Sequence, residues 1–565
     1  MFGNWGSTLR KNSLSLVLSM LLPTFGISNS VMAAEQIHAS YLPLEISIPL
    51  SALESYAKHG IINTELAGYY QYIPTNKLQE LRKVLIQPLK ISPAVTSQFL
   101  DTQQGEFILR RLAELIKTKS HSPQSKSQAL RTALISAAAQ PEGITLLSLL
   151  REYPQNSIRI DVASSMKVAD ELEKMISETE KAIATLTQAA NLEAAKISPG
   201  NLPQLSNLSY PTNLQPQKQT LKLFDSLRNR HLSTDIYIPN TQNPAPVIVI
   251  SHGLGLDSSN FSYLANHLST YGFAVVIPNH PGSDAKQLQS LINGNSNQVA
   301  HPNEFKDRPL DIKYILDKLE LDSRFQHRLN LQQVGIFGQS LGGYTALALA
   351  GAKINFQQLK QDCNAEKLRN TWNMSLLLQC RALELPNQSG QEDNLQDQRI
   401  KAVIAVNPIT SSIFGQAGLS QIHTPVMIIG SSEDTVAPTL YEQILPFSWI
   451  THPQKYLVML LGATHFSTIG NSNPGSTQMA LPTNMVGDAS QAHLYMNSLS
   501  LPFFQTYVAK KLEYMPYLNA AYAQSISSQS LGLNLVQSLD QIKLAPVLGN
   551  HFQETNPAKK NFPIP

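Results

Sequence analysis

Val334-Gly335-Ile336-Phe337-Gly338-Gln339-Ser340-Leu341-Gly342-Gly343-Tyr344-Thr345-Ala346-Leu347-Ala348-Leu349-Ala350 reads in two halves that meet at one serine. The half before it is apolar and suits a buried strand; the half after it is small, apolar and free of breakers, and suits a helix. Between them residues 338–342 fit G-x-S-x-G, a spacing that serves a sharp strand-to-helix turn. Glycines two before and two after the serine let neighbouring backbone approach where a Cβ would collide. The turn exposes the hydroxyl at a helix N-terminus, where the dipole favours developing negative charge. Ser340 is the candidate nucleophile.

Working outward, short apolar runs alternate with helical ones. Leu221 to Leu223 and Asp235 to Ile238 suggest an opening antiparallel pair. Val247 to Ile250, Phe273 to Ile277, Val334 to Phe337, Ala402 to Val406, Val426 to Ile429 and Tyr456 to Leu461 read as strands. Phe261 to Tyr271, Leu310 to Leu319 and Leu341 to Ala350 read as helices between them. Strands apolar throughout, alternating with helices, imply a mostly parallel, doubly wound sheet covered on both faces, an α/β fold. Residues 219–515 hold this pattern. Within them 353–400 are more than the sheet needs and are expected to form a lid, with a helix over Met374 to Leu385 ended by Pro386. Residues 516–565 read as a helical, then loose, tail.

Upstream, 35–197 read as a helical domain. Ser51 and Glu54 have capping-box spacing, and Ser92-Pro93 is an N-cap followed by proline. Leu172, Met175, Ile183, Leu186 and Leu192 mark one face of a long helix beginning near Ser164. A Pro/Asn/Gln/Ser-rich stretch over 198–218 reads as a linker. Residues 1–34 have the form of a secretory signal: Arg10 and Lys11, an apolar run from Leu14 to Leu22, then Val31-Met32-Ala33-Ala34. Export, to a periplasm or beyond, is the expected localisation. The chain has two cysteines, Cys363 and Cys380, and an oxidising compartment would favour a bridge between them. The pair cannot make a zinc site alone, and no metal is expected. With 43 basic and 40 acidic residues the net charge is +3, which gives no reason to expect nucleic acid as a partner.

A serine at its free pKa is a poor nucleophile and needs a base. Of 14 histidines, His465 alone stands just past the last strand of the pattern, in Gly462-Ala463-Thr464-His465-Phe466, where the chain order Ser, acid, His puts the base. The acid is expected after the strand ending at Ile429. There Glu433 and Asp434 are adjacent, whereas Asn407, ending the previous strand, offers no carboxylate. The acid fixes the imidazole tautomer and stabilises the imidazolium. Oxyanion donors are expected from two backbone N–H groups, those of Leu341 and of Leu254 in Ser251-His252-Gly253-Leu254-Gly255. His252 is expected to brace that loop. Phe447 and Trp449 could shape an acyl pocket or lie in the core.

Ser251 to Gly255, Pro278-Asn279-His280-Pro281-Gly282-Ser283, Asp307-Arg308-Pro309-Leu310-Asp311 and Gly338 to Gly343 together carry a resemblance. They resemble the platelet-activating-factor-acetylhydrolase-like and dienelactone-hydrolase-like branch of the α/β hydrolases, over roughly 219–510. Pro43-Leu44-Glu45 and Gln104-Gly105-Glu106 are similar to an N-terminal domain of unknown role on exported cyanobacterial hydrolases. Gln339 departs from relatives, which often carry His there. The resemblance favours Asp434 as the acid, since an Asp before Thr-Val-Ala-Pro is the usual arrangement in relatives. It implies ester cleavage without cofactor through an acyl-enzyme. The expected partner is a small-molecule or lipid ester, with membrane-surface contact open. Acyl transfer, peptide cleavage and a non-catalytic binding role are the alternatives.

Overall fold

The computed structural model describes residues 34–41, 44–64, 66–67, 75–90, 92–117, 123–197, 208–385, 394–471 and 486–539. The expected signal segment, apart from Ala34, lies outside the described residues, as do 198–207 of the linker, 386–393 of the insertion and 540–565 of the tail. The chain forms two compact units, Met1–Ser177 with Gln289–Val299 and Glu178–Leu288 with Ala300–Pro565.

The first unit is not purely helical. Strands β1 (Gln36–Tyr41), β2 (Leu44–Pro49), β3 (Ile116–Lys117) and β4 (Ser157–Asp161) form a four-stranded sheet in the order β2-β1-β4-β3. Around it run α1 (Leu50–His59), α2 (Thr75–Ile86), α3 (Pro93–Leu100), α4 (Gln103–Glu114), α5 (Pro123–Ala138) and α6 (Leu146–Arg151). Ser92 takes the N-cap position of α3 in extended conformation with Pro93 inside the first turn, as the dipeptide predicts, though its side chain makes no capping bond. Ser51 does not cap: β2 runs through Pro49 straight into α1, leaving Ser51 inside the first turn. Ile37, Leu50, Leu53, Ala57, Leu85 and Leu147 form a small core. The long α7 (Val162–Ala195) belongs to this unit up to Ser177 and to the second from Glu178, so the expected end of the first domain at 197 moves into the helix.

The second unit is built on a nine-stranded sheet: β5 (Gln217–Asp225), β6 (Arg230–Ile238), β7 (Ala245–Ser251), β8 (Ala274–Asn279), β9 (Leu329–Gln339), β10 (Ile400–Val406), β11 (Val426–Ser431), β12 (Lys455–Leu461) and β13 (Gly532–Val536). Their order is β13-β12-β11-β10-β9-β7-β8-β6-β5. The strands from β8 to β12 in this order are parallel; β5 and β6 at one edge and β13 at the other are antiparallel. Alternate residues of each strand face two cores. One holds Val247, Val249, Ile336 and Val403, the other Ile248, Ile250, Phe337 and Ile404. Between β7 and β10 the chain also forms the helices α8 (Ser262–Thr270), α9 (Ala285–Ile292), α10 (Glu304–Leu321) and α11 (Leu341–Leu349).

The insertion carries α12 (Phe356–Asp362), α13 (Ala365–Asn370) and α14 (Met374–Cys380), the last followed by a 3-10 turn at Arg381–Glu384 rather than one helix to Leu385. Cys363 and Cys380 form a disulfide that closes the insertion on itself. After it come α15 (Ser411–Leu419), α16 (Leu445–Trp449), α17 (Ala489–Tyr507) and α18 (Ala520–Ile526).

Two further expectations change. Residues 208–216 do not behave as a free linker: Leu208 enters the core, Ser209 bonds Ser498, and Thr212 bonds Thr270. The tail is neither loose nor only helical up to 539, because β13 pairs antiparallel with β12 and removes that bare edge. No described helix is long and apolar enough to cross a membrane.

Candidate active site

In the sheet order, β8 lies on one side of β7 and β9 on the other. The winding therefore reverses between β7 and β9, and the crevice beyond their carboxyl ends is where such sheets bind ligands. In register, Ser251 on β7 pairs with Gly338 on β9, so the loop 252–255 and the turn at Ser340 leave the sheet side by side. The turn is as tight as its glycines imply. A Cβ on Gly338 would meet the Gly342 carbonyl oxygen at 2.0 Å, and one on Gly342 would meet the Ser251 carbonyl oxygen at 2.0 Å. Ser340 itself has φ 55° and ψ −118°, a conformation costly for a residue with a Cβ and held here by its surroundings. Its amide donates to the Val406 carbonyl at 2.8 Å.

His465 follows β12 through Gly462 at φ 92°. The imidazole Nε2 lies 3.0 Å from the Ser340 hydroxyl, and Nδ1 lies 2.6 Å from Asp434 Oδ2. The carboxylate can only accept, so Nδ1 carries the proton and the Nε2 lone pair faces the serine O–H. Asp434 follows β11 and turns its other oxygen back on its own loop, accepting the amides of Val436 at 2.9 Å and Ala437 at 2.7 Å. The loops of Asp434 and His465 are zipped together: Ser432 N–H donates to Leu460 O, Glu433 N–H to Ala463 O, and Gly462 N–H to the Ser432 hydroxyl. Glu433 is bound through its backbone, and burial pushes its carboxyl up. Thus three side chains proposed from separate loops meet, with Asp434 rather than Glu433 on the imidazole.

Neither the Leu341 nor the Leu254 amide donates to another part of the protein among the described residues. Both remain available at the turn. Phe447 is fully buried in the core and Trp449 packs against that core, and neither borders the recess beside the turn. That recess, too tight to hold a water, is lined by Leu341 with Ala300, His301, Pro302, Phe305 and Leu378. Glu304 and Arg381 also border it, with their charges committed to Arg230 and Glu384.

Three features of the site go beyond the sequence reading. Gln339 Nε2 and Asn407 Nδ2 both donate to the His465 carbonyl, at 3.2 and 3.3 Å, and so fix the backbone that carries the imidazole. Their signal was position alone: one precedes the nucleophile and the other ends the next strand. The insertion touches the acid loop, since the Ser375 amide at the start of α14 donates to the Val436 carbonyl at 2.9 Å. Behind the site lies a second Ser-His-Asp array, in which His280 bonds Ser251 at 3.1 Å and Asp311 at 3.0 Å. All three are wholly buried, so this array braces and meets no substrate. His280 and Asp311 belong to the quoted motifs, but only the fold brings them to Ser251.

Comparison with known families agrees with this architecture. Residues 33–161 match the family described as alpha/beta hydrolase of unknown function (DUF1400). Residues 242–360, which include β7, the 252–255 loop and the Ser340 turn, match the family described as serine aminopeptidase, S33. No curated protein matches the chain. The two matches, with the nine-stranded sheet, support a member of the α/β-hydrolase superfamily. Its fold is of the serine-hydrolase type.

Proposed function

We propose that the chain is an exported serine hydrolase that cleaves carboxylic esters through an acyl-enzyme. The observation that carries the reading is the continuous relay from Asp434 through His465 to Ser340, at 2.6 and 3.0 Å. Ser340 Oγ attacks the ester carbonyl carbon while His465 Nε2 takes the hydroxyl proton. The carbonyl oxygen becomes an oxyanion held by the Leu341 and Leu254 amides. As the C–O bond to the alcohol breaks, His465 returns that proton to the leaving oxygen. Water then repeats the sequence on the acyl-enzyme, with His465 again as base, and releases the acid and free Ser340.

The substrate class we propose is a lipid-like or aryl ester, taken from solution or from a membrane surface. Export is favoured by the Cys363–Cys380 disulfide and by the character of residues 1–34. Likeness to the acetylhydrolase and dienelactone-hydrolase branch points the same way. The match to a serine aminopeptidase family favours a second reading, cleavage of peptides from the amino end.

One assay separates the two. p-Nitrophenyl esters from acetyl to octanoyl and amino-acid p-nitroanilides are offered to the purified protein and to Ser340→Ala. The proposal expects ester turnover that varies with acyl length and vanishes in the variant. Anilide cleavage with no ester turnover would replace it by the peptidase reading.

A further inference from the structure

The loop that offers the Leu254 amide is held from behind by buried polar groups. Arg308, on α10 and wholly buried, donates from Nη1 to the His252 carbonyl at 2.6 Å and from Nη2 to the Gly253 carbonyl at 3.3 Å. Its Nε donates to the Ser283 hydroxyl at 2.8 Å. The His280 amide, an obligate donor, points at His252 Nε2 at 3.1 Å. That fixes His252 as the neutral tautomer with its proton on Nδ1, which donates to the Gly253 carbonyl at 2.7 Å. Burial, with the Arg308 charge beside it, holds the His252 ring well below the usual imidazole range and keeps that tautomer in place.

The Gly253 carbonyl and the Leu254 N–H belong to one planar trans peptide, so the two point in opposite directions. Two donors on the carbonyl therefore set the direction of the N–H. The loop has no slack on its other side: a Cβ on Gly253 would meet Gln339 Oε1 at 2.2 Å, next to the nucleophile. We propose that Arg308 and His252 are positioning residues that aim the Leu254 amide at the oxyanion by gripping the Gly253 carbonyl. The proposal rests on the reading of Ser340 as nucleophile. It gives a buried charged residue a selective effect on the transition state. Ground-state binding does not use the hole and is left alone.

The test uses the full chain. Arg308→Lys, which cannot reach both carbonyls, and His252→Phe, which keeps a ring and loses the donor, are compared with Arg228→Lys. Arg228 bonds Asp225, Asp307 and Asp311 in the neighbouring charge cluster and does not touch the loop. Ester turnover and affinity for a trifluoromethyl ketone, which adds to a nucleophilic serine and generates an oxyanion, are measured on protein shown to be folded by circular dichroism. In Arg308→Lys and His252→Phe, kcat is expected to fall roughly 10²-fold. KM should stay within about twofold, and ketone affinity should fall by the same factor as kcat/KM. Arg228→Lys should lower Tm and keep kcat, the result expected of a structural role.

Full kcat and ketone affinity in either folded variant overturns the proposal. A wild type that neither turns over esters nor binds the ketone overturns the nucleophile reading instead, and the proposal with it. Wild-type protein labelled with 15N-histidine decides the matter if both variants fail to fold. A His252 protonated on Nε2, or charged, overturns the proposal, and a neutral ring protonated on Nδ1 sustains it.

Discussion

At the residue scale, the choice between adjacent carboxylates shows what spacing leaves open. Glu433 and Asp434 share a loop, and nothing in their order along the chain decides which meets the imidazole. The fold decides by turning Asp434 into a short loop where one oxygen accepts two amides and the other is left for His465 Nδ1. Glu433, one methylene longer, is held through its backbone amide on the Ala463 carbonyl. Asp434→Asn presents a donor or an amide oxygen where the imidazole needs a carboxylate, so kcat should fall by about 10⁴. Glu433→Gln should keep it. Steady-state kinetics on one ester compare the two, and equal losses would contradict the assignment. The glycines are as specific: Gly342→Ala drives a Cβ to 2.0 Å from the Ser251 carbonyl, a backbone atom that cannot give way. Poor folding is expected, read as a lowered yield of soluble protein and a lower Tm.

At the element scale, the insertion braces the acid loop. The buried Glu442 carboxylate accepts from Asn373 at 2.6 Å and Gln379 at 2.9 Å on the insertion side, and from the Thr410 and Ser411 amides at the start of α15. Ser375 reaches Val436, two residues from Asp434. The Cys363–Cys380 bridge, 17 residues apart in sequence, limits how far this segment can unravel. Cys363→Ser with Cys380→Ser should cost about 3 kcal/mol of stability, measured as a shift in the urea midpoint, with ester turnover falling before the bulk protein unfolds. An unchanged midpoint would show that the polar contacts alone hold the segment.

Elements were unevenly legible. Parallel strands buried on both faces are apolar throughout, so β7, β10 and β11 stood out against the helices between them. Strands β3, β4 and β13 are short and pair with partners distant in sequence, whereas β1 and β2 pair with each other as a hairpin. Gln36 to Tyr41 and Leu44 to Pro49 do alternate in polarity, but the helix-rich sequence around them masked the period of two. The bracing of the His465 carbonyl by Gln339 and Asn407 could not be read at all, because it depends on which strands become neighbours.

At the scale of the whole molecule, buried imidazoles set an acid limit. Burial lowers His267 to about 4 and holds His252, His280 and His493 below the usual range as well. Above the unfolded value of about 6.5 both states are neutral and nothing is lost. As pH falls below it, the unfolded chain takes up protons that the folded one refuses, so stability declines from about pH 6.5 towards 4. Tm across that range should drop steadily, and His267→Leu should flatten part of the slope. A Tm independent of pH would contradict the burial of these rings.

The whole fold also brings residues 340, 434 and 465 from three separate loops to one end of the sheet, and on that convergence the functional reading stands. Its most direct test is the mass of the protein after exposure to a fluorophosphonate. One adduct per chain is expected, mapped by peptide sequencing to Ser340 and absent from Ser340→Ala and His465→Gln. An adduct on another serine, or none on a folded wild-type protein, would contradict it.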